Sequence, residues 1–256
     1  MSIIYEGKTI GFLLGIIFFA VLLYATKYLK GRTIRTIEGL DAIEEAVGRA
    51  VEMGRPVHDC PGGGGFDSQY AQQTIAAIGI IGYVAKLCAS RGADLKVSVN
   101  VAHTLPAVEE MVRTSYLSEG QIEQYSPEMV RFLPDQTSLF SYCMGMFERE
   151  KIAANIMVGA YFWEAIVLAE HGGSVGAMQI GGTARQSQLP AFVASCDYLI
   201  IGDEMFAANA YITQDEEQIS NIAGQDIVRI MIIAIMILGT LASLAGIDAI
   251  ANFLVM

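Results

Sequence analysis

Charged residues are scarce in this chain of 256 residues, and basic residues are the scarcer kind. Only 17% of the residues are charged, with 16 lysines and arginines against 27 aspartates and glutamates. A typical soluble domain is nearer to about 25% charged. Because 53% of the residues are hydrophobic, the composition excludes a disordered chain. The net charge of −11 excludes a basic surface for nucleic acid, so we expect no nucleic-acid partner.

Complete sequence motifs are also lacking. The four cysteines contain no CxxC pair and show no secretory disulfide framework, which fits a reducing compartment. The phosphate-binding motif GxxxxGK[ST] is missing from the chain. Without a complete catalytic motif, we expect a protein that is not an enzyme rather than one that is, and its cofactors stay unknown.

Long hydrophobic runs are present at both ends of the chain. Residues 9–26 and 230–247 are uncharged runs of 18 residues each, roughly the length of a helix that crosses a bilayer. Basic residues follow the first run and precede the second, at Lys27, Lys30, Arg32, Arg35 and Arg229. Because positive charges stay in the cytoplasm, we predict a two-pass plasma-membrane protein with both termini outside and residues 31–228 inside. A cleaved signal peptide is the alternative for the first run, but its bases would precede the run.

Small residues in these two runs indicate helix packing. Gly11 and Gly15 form a GxxxG pair, and Gly239 and Ser243 form a second pair with the same spacing. Such spacing lets membrane helices approach closely, so we expect contacts with lipid and a homo-oligomer or other membrane-complex subunits. Asp248 follows the second run, either as an interfacial residue or as a carboxylate buried in a subunit interface or proton path.

The middle of the chain alternates predicted helices with short apolar strands. We predict strands at residues 55–60, 95–101, 153–160, 175–180 and 198–202. We predict helices at residues 41–53, 68–90, 106–117, 137–149, 162–170, 188–195 and 204–212, and a loop at 119–135. Asp67 or Ser68 is expected to cap the second of these helices, which is apolar nearly all round and so predicted to be deeply buried.

This alternation determines the predicted fold class and domains. Strands that alternate with helices form βαβ units, and near-continuous apolar strands are typical of a sheet covered on both faces. We therefore predict a three-layer, Rossmann-like α/β domain at residues 31–226, with a mostly parallel sheet of about five strands. One transmembrane helix within residues 1–30 and another within residues 227–256 tether it to the membrane.

Two stretches of the chain carry a family resemblance. Residues 34–57 read IRTIEGLDAIEEAVGRAVEMGRPV, and residues 181–213 read GGTARQSQLPAFVASCDYLIIGDEMFAANAYIT. They resemble a family of uncharacterised bacterial and archaeal two-pass membrane proteins known only as a domain of unknown function. The resemblance runs from the first hydrophobic run onward. It implies the same architecture and no activity or site residue.

Candidate ligand-binding residues gather at the predicted carboxyl ends of the strands, where open α/β sheets bind ligands. The first group is the glycine run Gly62, Gly63, Gly64 and Gly65, with His58 on the strand before it and His103 after the second strand. The second group is the turn Gly181, Gly182, Thr183 and Arg185. Amides in such turns can hold a phosphate or carboxylate, although the spacing is not GxGxxG. A tightly packed turn is the alternative for each.

Two further chemistries are open to the histidines. Cys60 and His103 could form a nucleophilic pair, and His58 could join them as a metal ligand. These spacings match no standard zinc pattern, so we expect no metal.

These observations favour a membrane-anchored structural or interaction subunit of an oligomeric membrane assembly. The alternative is a sensor or enzyme that binds a nucleotide or small anionic metabolite at the glycine turns. Transport through an oligomeric pore that contains Asp248 ranks third.

Overall fold

The structure is a computed structural model that describes residues 9–28 and 35–244. The chain divides into two compact units. One unit contains two long apolar helices, α1 (Thr9–Tyr28) and α9 (Glu216–Leu244). The other is an α/β unit, Arg35–Ile212, and it contains all the candidate ligand-binding residues.

A single parallel sheet forms the centre of the α/β unit. Its strands are β1 (Val57–Gly62), β2 (Leu95–Val99), β3 (Val130–Phe132), β4 (Ala154–Ala160), β5 (Met178–Thr183) and β6 (Tyr198–Ile201). They lie in the order β3-β2-β1-β4-β5-β6, and each pair of neighbours is parallel. The prediction of an α/β protein with a parallel sheet is confirmed. The order reverses between β1 and β4, and this is where doubly wound folds open a crevice for ligands.

Helices cover both faces of this sheet. They are α2 (Glu38–Met53), α3 (Ala71–Arg91), α4 (Leu105–Ser118), α5 (Gln136–Glu150), α6 (Glu164–Ser174), α7 (Leu189–Ser195) and α8 (Asp203–Thr213). Helices α2, α3, α4 and α8 share one hydrophobic core with the sheet, and α5, α6 and α7 form a second core on the opposite face. The predicted deep burial of α3 is confirmed, since most of its side chains are inaccessible.

Local sequence explains where several helices begin and end. Apolar residues recur on one face of α2, and Gly54 ends that helix in the left-handed conformation, with φ of 60°. The Asp135 carboxylate accepts a hydrogen bond from the Ser138 amide, 2.8 Å away, and so caps the start of α5.

Four details differ from the prediction. Strand β3 lies inside the predicted loop 119–135, because a strand of three residues has too short a pattern to recognise. Strand β5 begins three residues later than predicted. Helix α6 continues to Ser174, four residues beyond its predicted end, and Gly172 packs against the side chain of Gln179. Helix α3 begins at Ala71 without a side-chain cap, so Asp67 and Ser68 belong to the preceding loop.

Helices α1 and α9 pack against each other within their own unit. Two described helices are long and apolar enough to cross a membrane: Ala71–Arg91, which is 67% buried in the core, and Glu216–Leu241, which is 11% buried. The apolar part of α1, Leu14–Tyr24, is shorter.

The predicted helix-packing residues fall partly within the described chain. A Cβ atom added to Gly15 would meet no atom within 4 Å, so that side of α1 is open. Gly239 lies half-buried on α9. The surroundings of Gly11 and Ser243 are not described, and Asp248 lies outside the described residues.

Candidate ligand site at the carboxyl edge of the sheet

Four parts of the fold converge at the carboxyl edge around Gly63, which itself lies in the loop after β1. A Cβ atom built on Gly63 would lie 3.4 Å from the Phe162 ring and 3.5 Å from both the Asn100 and the Gln136 side-chain amide nitrogens. These three residues come from the loops after β4 and β2 and from the first turn of α5. The three side chains therefore bound a small space over the Gly63 Cα atom, which we call the cradle.

The amides of the glycine run are mostly used within the protein. Gly62 has φ of 75°, and a Cβ there would lie 2.5 Å from the Ala160 carbonyl oxygen, so the run bends tightly over the end of β4. The Gly63 amide donates to that oxygen over 2.8 Å. The Gly65 amide donates to Ser68 Oγ over 3.4 Å. The Gly63 and Gly65 amides are therefore already bonded within the protein.

His103 fastens the end of the same loop. Its Nε2 accepts a hydrogen bond from the Phe66 amide over 3.0 Å and lies 3.3 Å from an Asp67 carboxylate oxygen. A Cβ on Gly65 would lie 2.6 Å from the same nitrogen, which leaves no space for a larger residue. His103 and the glycine run, both expected at this edge, are therefore neighbours in the structure. They pack tightly against each other.

The second predicted group is placed differently. Gly181 and Gly182 lie within β5 rather than in a turn, where Cβ atoms would clash with Phe192 and crowd Ile200. Thr183 ends the strand in full burial, and its hydroxyl lies 3.5 Å from Gln73 Oε1. Only Arg185 reaches the edge of the sheet.

Aromatic rings hold the Arg185 guanidinium in place. It lies over the rings of Phe162 and Tyr70, at 4.2 and 5.0 Å from their centroids, and such stacking is favourable. Nη1 donates to the Tyr161 carbonyl oxygen over 3.0 Å. A guanidinium has five N–H groups, so Arg185 keeps donors for an anion beside Phe162, which bounds the cradle.

Two side-chain oxygens at this edge are buried without a hydrogen-bond partner in the described chain, Asn100 Oδ1 and Glu164 Oε2. Glu164 is 0% exposed, and its other oxygen accepts from the Phe162 amide over 3.2 Å at the start of α6. Burial raises the pKa of the Glu164 carboxyl, and the charge of Arg185 partly opposes this effect. Buried acceptors without donors are uncommon in folded proteins.

Trp163 stands beside the cradle with 52% of its surface exposed. Its Nε1 donates to Gln136 Oε1 over 3.2 Å, which fixes the indole ring. From the sequence, Phe162 and Trp163 are expected to be core or interface residues, and no pattern singles out Glu164 or Gln136. The sequence signal for this segment is its position directly after a predicted strand, β4.

His58 lies away from the edge, in the core beneath α5. Its Nδ1 is 2.8 Å from Asn155 Oδ1, and its Nε2 is 3.0 Å from Ser98 Oγ. Asn155 Nδ2 donates to Gln179 Oε1 over 2.8 Å, which extends this polar row to β5. Burial lowers the pKa of His58 to about 4, so its ring is neutral near pH 7. His58 is therefore placed for a structural role.

The proposed cysteine and metal chemistry also finds no assembled site. Cys60 is fully buried, and burial raises its pKa to about 12, which disfavours the thiolate. His103 contacts the loop rather than Cys60. Among the described residues, no group of three His, Cys, Asp or Glu side chains is placed to hold a metal ion.

Two cavities lie elsewhere on the α/β unit. One of about 600 Å³ is at the amino edge of β5 and β6, beside Arg49 and Asp197. Another of about 510 Å³ runs along the outer side of β6, beside Arg35 and Glu204. Neither is lined by a residue of the two glycine groups. They are the competing locations for a small ligand.

Strand order and loop convergence define the class: an α/β protein of Rossmann strand order with a polar cradle at its switch point. The chain belongs to the family DUF6754, a domain of unknown function, whose model matches residues 2–254. No curated protein and no solved structure matches the chain significantly. The family therefore supports the extent of the domain and adds no chemistry.

Proposed function

We propose that this protein is a membrane-anchored structural or interaction subunit of an oligomeric membrane assembly. The observation that carries the proposal is the apolar surface of the α1/α9 unit. Large apolar side chains are exposed along both helices, at Phe12, Ile16, Phe19, Leu23, Ile230, Ile233, Ile237 and Leu241. Contiguous apolar surface of this kind marks a protein or membrane interaction site.

Charge distribution supports one direction of insertion. Lys27 directly follows the first apolar stretch, and Arg229 directly precedes the second. Both bases are therefore on the side of each stretch that is nearer in sequence to the α/β unit. By the positive-inside rule, the α/β unit is cytoplasmic and both termini are outside. The family resemblance to two-pass membrane proteins points the same way.

Membrane extraction tests this function. We expect the full-length protein to stay in the membrane fraction after alkaline carbonate treatment and to float with liposomes. Replacing Ile233 and Ile237 with glutamate should release it, because charges at the bilayer centre are costly. Ile75→Glu is the matched control, since Ile75 on α3 is similarly exposed, at 57% against 55% for Ile233.

Topology and assembly are measured on the same material. Cysteines introduced at Ser2 and Glu123 should be labelled from opposite sides of sealed vesicles. Native mass measurement in gentle detergent should show an oligomer. A wild-type chain that dissolves in carbonate, or a monomer throughout, would contradict the proposal.

A second candidate function is binding of a nucleotide or small anionic metabolite by the α/β unit, as a sensor or enzyme. The strand order β3-β2-β1-β4-β5-β6 favours it, because the switch point of such sheets is where ligands bind. Fold alone does not establish function. A panel of nucleotides and metabolites should include at least one that raises the melting temperature of the full-length protein.

A further inference from the structure

We infer that the cradle over Gly63 binds a nucleotide, with its phosphate on Arg185 and its ribose hydroxyls on the side-chain amides of Asn100 and Gln136. This inference rests on the second candidate function and specifies its site and ligand class. In this proposal, side chains of the neighbouring loops bind the nucleotide, whereas the sequence suggested the glycine amides.

Arg185 supplies the anion-binding group. Its guanidinium lies over the rings of Phe162 and Tyr70. In the described chain, its one hydrogen bond goes to the Tyr161 carbonyl oxygen. The remaining N–H groups suit the paired oxygens of a phosphate, which arginine binds in a bidentate way. No acidic residue lies in the first turn of α3, which follows Tyr70 directly. The acid nearest to this turn in the sequence is Asp67, and its carboxylate contacts His103.

Two side-chain amides supply donors at the cradle. Asn100 Nδ2 and Gln136 Nε2 each lie 3.5 Å from the position of a Cβ atom on Gly63. Ribose hydroxyls can accept hydrogen bonds from both amides. Asn100 Oδ1 and Glu164 Oε2 are buried and take no part in this contact.

Trp163 provides a surface for the base. Its Nε1–H group is bonded to Gln136, which also bounds the cradle, and 52% of the Trp163 surface is exposed. Aromatic side chains stack on nucleobases of any sequence. A ligand with an anionic group, several hydroxyls and a flat ring matches all three features together, and this combination is that of a nucleotide.

Gly63 offers a test that leaves the fold intact. A Cβ there would make ordinary contacts of 3.4–3.5 Å with the cradle side chains, so Gly63→Ala fills the cradle without a clash. Gly48→Ala is the matched control, because Gly48 lies on the distant helix α2. Its new methyl group would meet no atom closer than the Arg91 side chain, at 3.7 Å. Arg185→Gln removes the charge, with Arg113→Gln as its control on the exposed face of α4.

Calorimetric titration of the full-length protein in detergent uses AMP, ribose 5-phosphate, adenosine and inorganic phosphate as probes. We expect AMP to bind more tightly than ribose 5-phosphate, and adenosine to bind poorly. Gly63→Ala and Arg185→Gln should each weaken AMP binding by roughly tenfold or more, since each removes a main feature of the site. The two control variants should bind as the wild type does.

Three results would overturn the inference, and they are distinguishable. AMP binding that both cradle variants retain would place the ligand elsewhere, for example in the cavity beside Arg49, and the second candidate function would survive. Adenosine binding as tightly as AMP would remove Arg185 from recognition. If no probe binds the wild-type protein, while other classes of metabolite stabilise it, the nucleotide class is wrong. If nothing in the metabolite panel stabilises it either, the second candidate function fails as well.

Discussion

Asn155 accepts a hydrogen bond from the His58 ring, and the direction of this bond follows from the other end of the same buried polar row. Gln179 Nε2 donates to the Ala177 carbonyl oxygen over 3.0 Å, and a carbonyl can only accept. Gln179 Oε1 must therefore accept from Asn155, and Asn155 Oδ1 must accept from His58 Nδ1 over 2.8 Å. His58 Nε2 is then left as the acceptor for the Ser98 hydroxyl.

This row fastens four strands in register, because each side chain bonds to one on the neighbouring strand. A fully satisfied network of this kind specifies one arrangement of the core. A proton added to His58 Nε2 would remove the acceptor for Ser98 and place a charge in the core. The histidine that the sequence suggested as a ligand is thus a structural group.

The first prediction is that the protein loses stability in mild acid because of His58. Burial lowers its pKa from 6.5 to about 4, so the unfolded chain binds a proton more readily than the folded chain between these values. Stability is therefore fully present above pH 6.5 and is lost as the pH falls toward 4. The loss amounts to about 3 kcal/mol, at roughly 1.4 kcal/mol for each pKa unit.

Melting temperatures of the full-length protein between pH 4 and 7.5 measure this effect. His58→Gln lowers the melting temperature at neutral pH and removes much of the acid sensitivity in this interval. His103→Gln is the control, because His103 is partly exposed at the carboxyl edge. Equal acid sensitivity in the wild type and His58→Gln would refute this account.

The second prediction concerns Asp59, which lies in the core beneath α3. It is 1% exposed, and its Oδ2 has no hydrogen-bond partner in the described chain. Burial raises the pKa of this carboxyl well above its usual value, so the folded state takes up a proton that the unfolded state releases. Its contribution to stability therefore falls as the pH rises above the usual value near 4.

Asp59→Asn should remove this cost with little change in shape. We expect the variant to be more stable than the wild type at neutral pH, because an amide cannot ionise and so folding is no longer coupled to proton uptake. The gain should shrink toward pH 4. Chemical unfolding at the two pH values measures it, with the half-exposed Asp94→Asn as control. A strong loss of stability at neutral pH would show that Asp59 has a partner that stabilises its charge.

The sequence predicts those features of the fold that depend on residues close together in the chain. It does not predict features that depend on contacts between distant segments. The periodicity of α2 and the apolar strands β1 and β4 are local patterns, and they predict the α/β class. The order of the strands depends on contacts between distant segments, so it does not follow from any local pattern. Strand β3 is missed because its three residues have one buried position and lie between two prolines.

The candidate site shows the same limit. The glycine run is visible in the sequence, but the reason for its glycines is the close approach of the β4 backbone, which is a long-range contact. Arg185 was identified as part of a glycine turn. Its aromatic neighbours Tyr70 and Phe162 are more than twenty residues away along the chain, so only the folded structure brings them together.

The third prediction tests the packing of α2 on β6. A Cβ on Gly39 would lie 2.6 Å from both the Leu199 carbonyl oxygen and the Ile200 side chain. The Leu199 carbonyl is backbone and cannot yield easily, so Gly39→Ala should destabilise the protein by roughly 1–3 kcal/mol.

Gly48→Ala on the same helix is the matched comparison. Its new methyl group would meet no atom closer than 3.7 Å, and alanine favours a helix over glycine by about 1 kcal/mol. Opposite shifts of the melting temperature are therefore expected from the same substitution nine residues apart on one helix. Similar shifts in both variants would contradict the contact between α2 and β6.

The last prediction uses Trp163, the single tryptophan of the chain, as a reporter of the carboxyl edge. Its indole is 52% exposed, so acrylamide should quench the fluorescence of the free protein efficiently. A nucleotide base stacked on the ring would shield it, and AMP should therefore reduce quenching in the wild type. Gly63→Ala should abolish this protection without changing the quenching of the free protein, because the added methyl group fills the cradle and leaves the indole surface open.

Ribose 5-phosphate has no base, so it should protect less than AMP at equal occupancy of the site. Protection by AMP that persists in Gly63→Ala would mean that the base stacks on Trp163 from outside the cradle, and the assigned position of the ribose would then be wrong.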